Sequence, residues 1–172
     1  MRTIIIALAV ACLAAPALAQ APADMHAPGC RSADLDVSIK ACTDLIGSGK
    51  QTDADLAMAY NIRGHDYVAK QLYDLAIPDF DKSIALNPNF AHAYNTRGRA
   101  EAAQGKYDLA IVDFTKSMSM DSKFAEIPYN RGLAYESKAD REAAIADYRA
   151  ALKLMPGMQD ALDGLGRLHA TP

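Results

Sequence analysis

Positive charge is not in surplus along this chain of 172 residues: 18 Lys and Arg stand against 21 Asp and Glu, a net charge of −3. That argues against nucleic acid or anionic lipid as a partner, because neutralising phosphate needs a concentrated basic face. Long apolar runs are also missing. The one at the start, within MRTIIIALAVACLAAPALA, falls short of the roughly 20 residues of a bilayer span, so no stable membrane insertion is expected. Catalytic signatures are absent as well: there is no HExxH, GxSxG, P-loop or GxGxxG, which leaves metalloprotease, serine hydrolase, nucleotide-hydrolysing and dinucleotide chemistry without an anchor. The four histidines, His26, His65, His92 and His169, are scattered. His65 and His92 differ by seven residues of helical register, an offset of about 10 Å, too far for shared metal ligation. The chain therefore reads as non-enzymatic, with no cofactor.

Cysteine is scarce too. Cys12 lies in the opening apolar run, and only Cys30 and Cys42 follow it. The opening run has a basic start at Arg2 and ends in Ala17-Leu18-Ala19, the small-x-small pattern of a secretory signal peptide. Residues 1–19 are expected to leave, with the mature chain beginning at Gln20 and its net charge moving from −3 to −4 as Arg2 is lost. Residues 20–31 read as a flexible leader. Export puts Cys30 and Cys42 in a periplasmic or secreted setting where disulfides persist. Their spacing fits neither CxxC nor CxxCH. A structural disulfide, which contributes about 3 kcal/mol for a loop this short, is the expectation; two free thiols, or a thiol-redox accessory role, are the alternatives.

What the chain has is a period. Arg63-Gly64, Arg97-Gly98 and Arg131-Gly132 recur at steps of 34 residues. Around them, YNIRGHDYVAKQLYDLAIPDFDKSIALNP aligns with YNTRGRAEAAQGKYDLAIVDFTKSMSMDS and PYNRGLAYESKADREAAIADYRAALKLMP. Each unit holds two stretches of helical periodicity with a polar break between them, at Lys70-Gln71, Gly105-Lys106 and Ala139-Asp140. Pro88 and Pro156 close two units, where a helix does not readily continue.

These columns resemble the tetratricopeptide repeat family: Gly64-x2-Tyr67, Ala76-x3-Phe80 and Pro88 in the first unit, Gly98 and Ala110-x3-Phe114 in the second, Gly132-x2-Tyr135, Ala144-x3-Tyr148 and Pro156 in the third. The resemblance implies an all-α, right-handed α-solenoid of antiparallel helix hairpins. Its parts are an N-terminal half-repeat over residues 32–56, full repeats over 57–90, 91–124 and 125–157, and a capping helix over 158–172. Glu101, Ser122 and Pro128 depart from the pattern, and Pro78 is expected to cost one early helix bond.

Where the family has Leu, this chain has Arg63, Arg97 and Arg131, and each is followed 16 residues later by Asp79, Asp113 and Asp147. The midpoints fall on the polar breaks, so in antiparallel hairpins each Arg lies level with its Asp. The expectation is a structural ion pair within or between hairpins; a ladder of arginines for anionic ligands is the alternative. At the C-terminal end Met158, Leu162, Leu165 and Leu168 form an apolar stripe, with Asp160, Asp163 and Arg167 turned away. At the N-terminal end Ile39, Cys42, Leu45 and Ile46 share a face, under a cover tied down through Cys30.

The resemblance further implies a concave groove lined by the first helix of each hairpin: Asn61 and His65, then His92, Asn95 and Arg99, then Glu126, Tyr129, Asn130 and Glu136. Asn61 and Asn95 are expected to bond a peptide backbone, or else to satisfy neighbouring helix ends. Asn61 and Glu126 do not fit the family's carboxylate clamp. The function implied is a protein- or peptide-binding scaffold or adaptor in a bacterial cell envelope. Weak homo-oligomerisation through the end caps, with Gly164 and Gly166 loosening the last helix, is the alternative.

Overall fold

The computed structural model describes residues 30–172; the expected signal peptide and all but the last two residues of the expected leader lie outside them. Within that span the chain is all-α. Its helices are α1 (Leu35–Gly47), α2 (Asp53–Ala69), α3 (Tyr73–Leu86), α4 (Ala91–Ala103), α5 (Tyr107–Met120), α6 (Glu126–Ser137), α7 (Arg141–Leu154) and α8 (Gln159–Arg167). They stack as an α-solenoid in which α2/α3, α4/α5 and α6/α7 are hairpins and α1 and α8 close the ends. No helix of the described residues is long and apolar enough to cross a membrane.

Local chemistry sets the helix ends. Asp34 caps α1 by accepting from the backbone N–H groups of Asp36 and Val37. Thr52 and Asp55 form a reciprocal capping box, so α2 starts at Asp53, inside the stretch the sequence assigned to the half-repeat. The turns between paired helices share one backbone feature: Gln71, Gly105 and Ala139, at the same place in successive units, all have positive φ, 60°, 75° and 61°. Only the middle unit uses the residue to which that conformation comes without strain. Pro128 is the third residue of α6, where its missing N–H has no helical acceptor to lose. Pro78 lies deeper, inside α3.

The recurring glycines are explained by rings. Phe80, Phe114 and Tyr148 are fully buried, and a Cβ on Gly64, Gly98 or Gly132 would come within 2.7, 3.0 or 2.8 Å of the ring of its own hairpin. Cys42 stands where the half-repeat would carry such a ring. Its Cα is 4.7 Å from that of Cys30, with the two sulfurs within bonding reach, and Met58, Ala59 and Ile62 pack around them.

The cap is tighter than its composition suggests. Gly164 packs on the other face of Tyr148, where a Cβ would meet the ring at 2.6 Å, and Leu165 is 1% exposed. Leu165 is thus part of the core and not on offer to a second subunit. Arg167, expected to turn away, instead makes a bidentate pair with Glu136 at 2.9 Å through both nitrogens. We expect Gly164→Ala to destabilise the protein by about 1–3 kcal/mol, as overpacking does, and Gly166→Ala, whose Cβ meets nothing, to stabilise it slightly through helix propensity. Chemical denaturation of the two variants side by side checks both signs.

Candidate binding groove

All three Arg–Asp pairs form with one geometry. Arg63 meets Asp79 through Nε and Nη2 at 2.7 and 2.8 Å, Arg97 meets Asp113 at 2.7 and 2.8 Å, and Arg131 meets Asp147 at 2.7 Å through both. The third nitrogen, Nη1, reaches the preceding hairpin or half-repeat: Thr43 Oγ1 at 2.9 Å, Asp81 Oδ1 at 2.6 Å and Thr115 Oγ1 at 2.9 Å. Each guanidinium therefore bonds both within its hairpin and to the unit before it. Tyr60 and Tyr67, Tyr94 and Tyr135 supply ring faces about Arg63, Arg97 and Arg131. With their donors so engaged, these arginines are framework and not an anion-binding ladder.

The groove itself is a cavity of about 650 Å³. Six of the residues read from the sequence line it: His92, Asn95 and Arg99 from α4, and Glu126, Tyr129 and Asn130 from α6. Arg99 is exposed and makes no ion pair among the described residues. Asn130 Nδ2 donates to Asn95 Oδ1 at 3.5 Å, and no bond within the described residues occupies the Asn95 amide donors. Partial desolvation in the groove wall, with His65, Arg99 and Arg31 nearby, holds the His92 pKa below the ordinary imidazole value.

Three expected groove residues lie elsewhere. Asn61 is 3% exposed, its Nδ2 donating to Thr96 Oγ1 at 3.3 Å and its Oδ1 3.1 Å from His92 Nδ1. It satisfies its neighbours, because α4 covers it, and cannot also bond a peptide through both amide groups. Glu136 is held by Arg167 and by the hydroxyl of Tyr148; the Arg167 bonds lower its pKa, against some opposition from burial. It ties the cap to the third repeat. His65 lines a separate cavity, which has His92 in common with the groove.

The sequence reading missed an apolar edge. Phe90, Phe124 and Met158, spaced at 34 residues immediately before α4, α6 and α8, all line the groove, and Phe124 is 56% exposed. The repeat register held that signal, but the three positions lie in loops, outside the helical columns.

Sequence profiles described as tetratricopeptide repeat match residues 57–90, 80–112 and 125–157, together more than half the chain. The chain belongs to the tetratricopeptide repeat family. Among solved structures it is similar to the Arabidopsis OM64 TPR domain, at 27% identity and a TM-score of 0.67 over 68% of this chain and 97% of that one. It is also similar to the second TPR domain of human RPAP3, determined in complex with the HSP70 peptide SGPTIEEVD, at 24% identity and TM-score 0.66 over 69% of this chain and 99% of that one. A third, YrrB, described as a TPR protein with an unusual peptide-binding site, has 23% identity and TM-score 0.69 over 77% of this chain and 66% of that one. No curated protein matches the chain.

Proposed function

We propose that this tetratricopeptide repeat protein is a non-enzymatic adaptor that holds a peptide segment of a partner protein along its concave face, in a bacterial cell envelope after export. The observation that carries the reading is the 650 Å³ groove, in which Arg99, a cation with no ion pair among the described residues, and the amide of Asn95 stand beside an apolar edge of Phe90, Phe124 and Met158. Polar groups there would fix a backbone and the edge would take apolar side chains, the usual division of labour in a binding site. With Asn61 enclosed and Glu126 in the third repeat, the groove is not built as a carboxylate clamp. The export reading rests on the Arg2 to Ala19 segment, and within it Cys30–Cys42 serves as a structural bridge that holds the N-terminal cover over α1.

In-cell crosslinking with mass spectrometry tests the groove, comparing wild type with an Asn95→Ala, Arg99→Glu variant of unchanged helicity. Asn61 is left in place because it is part of the frame. A partner captured by wild type and lost from the variant is the expected result. The same partner on both would move the site to the convex face or the caps. Fractionation with N-terminal sequencing tests export, with Gln20 expected as the first residue.

A further inference from the structure

The second cavity, of about 460 Å³, sits at the N-terminal end of the array and shares His92 with the groove. Its origin is architectural. In the second and third repeats, one position of the first helix packs on the second helix of the preceding unit: Ala100 on Ala76 and Phe80, Ala134 on Ala110 and Phe114. The same column in the first repeat is Asp66, and the facing positions on α1 are Ser38 and Cys42. Among the described residues the segment from Cys30 to Asp34 precedes α1 in place of a paired helix, and the cavity lies between that segment, α2 and His92 of α4. A cover needed only for packing would be met by alanine, as it is twice further along the chain.

Asp66 is 7% exposed and its Oδ2 is buried without a hydrogen-bond partner among the described residues. Ser38 has a single hydroxyl proton and donates it to the Cys30 carbonyl oxygen at 2.7 Å. Arg31 lines the cavity from the cover, and His65 from α2, yet neither forms an ion pair with Asp66. Burial raises the Asp66 pKa against the opposing charges of His65 and Arg31. A buried carboxylate oxygen without a donor is costly, and a ligand that supplies a charged N–H removes the cost.

We propose that this cavity binds a protonated primary amine, with Asp66 as its counter-ion, presented by a lysine side chain or by the free N-terminus of a peptide. His92 lines both cavities, so a peptide amine held at Asp66 would lie next to the groove, and to that extent the source of the amine rests on the groove reading. The amine site itself is separate, since Asn95 and Arg99 line only the larger cavity.

The test is an NMR titration of the full chain with three small probes: Nα-acetyl-lysine methylamide, which carries only a side-chain ammonium; glycinamide, which carries only an α-ammonium; and neutral Nα-acetyl-norleucine methylamide. Saturable shifts at the backbone amides of Ser38, Asn61, His65 and His92 are expected from one or both cations and not from the neutral probe, and which cation saturates identifies the source. Asp66→Asn should weaken that binding about tenfold or more. Asp66→Ala, which copies Ala100 and Ala134, should abolish it while raising the melting temperature. Arg31→Ala should leave the melting temperature unchanged. The site is overturned if no cation saturates, if Asp66→Asn binds as wild type does, if Asp66→Ala melts lower than wild type, or if Arg31→Ala is destabilised as though it were the missing partner. None of these results would alter the crosslinking outcome at Asn95 and Arg99.

Discussion

Arg97→Met is expected to lower the unfolding free energy by about 3–5 kcal/mol, the range for removing one partner of a buried ion pair. It should be the most damaging of the three equivalent replacements. Asp113 is 3% exposed and takes two bonds from Arg97, and Asp81 takes a third at 2.6 Å. Arg63 and Arg131 direct that third bond to the neutral hydroxyls of Thr43 and Thr115. Losing Arg97 therefore strands two carboxylates, one of them buried, where losing Arg63 or Arg131 strands one. Because repeats stabilise one another only through neighbours, the damage at the middle unit reaches the interfaces on both sides. Urea denaturation of Arg97→Met, Asp113→Leu and the double variant measures the coupling. The double variant should recover most of the loss, since well-packed apolar residues often replace a buried pair without cost. A coupling near zero would mean that the guanidinium and the carboxylate do not act as a pair.

That pairing was legible in the sequence because it obeys a rule independent of environment: two residues equidistant from the turn of an antiparallel hairpin lie level. The third bond of each arginine was not, since its acceptors are Thr43, Asp81 and Thr115, different residues at a spacing that changes from 20 to 16 where α1 joins α2. Helix count and repeat register followed from the 34-residue step, and the glycines from the rings they face. The site was legible in its middle and not at its ends. His92, Asn95, Arg99, Glu126, Tyr129 and Asn130 follow the columns of complete neighbouring repeats, so register alone puts them on one surface. Asn61 and Glu136 occupy columns of the same kind, but Thr96 and His92 close over the one and Arg167 over the other. Which side chain engages a neighbour depends on partners outside the repeat pattern. The Asp66 cavity is of the same sort, because its lining includes Arg31, Ser32 and Ala33, which lie outside the repeat columns.

Glu101 is where the repeat pattern is broken at greatest energetic cost, and Glu101→Gln is expected to stabilise the protein in a way that depends on pH. The column holds Tyr67 and Tyr135 in the other two units. Glu101 is 7% exposed, and its Oε2 is buried without a hydrogen-bond partner among the described residues. Burial is the main reason its pKa is pushed up to about 7; Asp113 from α5 and Asp81 from α3 add to the push, while Arg97 on its own helix and Lys106 in the turn oppose it. The folded-state value lies above that of the unfolded chain, so the native state holds the proton more tightly. The carboxyl is neutral and harmless below the unfolded value. As pH rises from there through about 7, the folded protein must ionise a buried group and loses stability, after which the penalty is constant. Glutamine has the same shape and no such titration. The variant should therefore match wild type in melting temperature at acidic pH and exceed it by several degrees at about pH 8, a difference of about 2 kcal/mol after allowance for solvent screening. Melting curves of both proteins across that range decide it. A gap that stays constant, or that closes as pH rises, would show that burial does not raise the Glu101 pKa in the folded state.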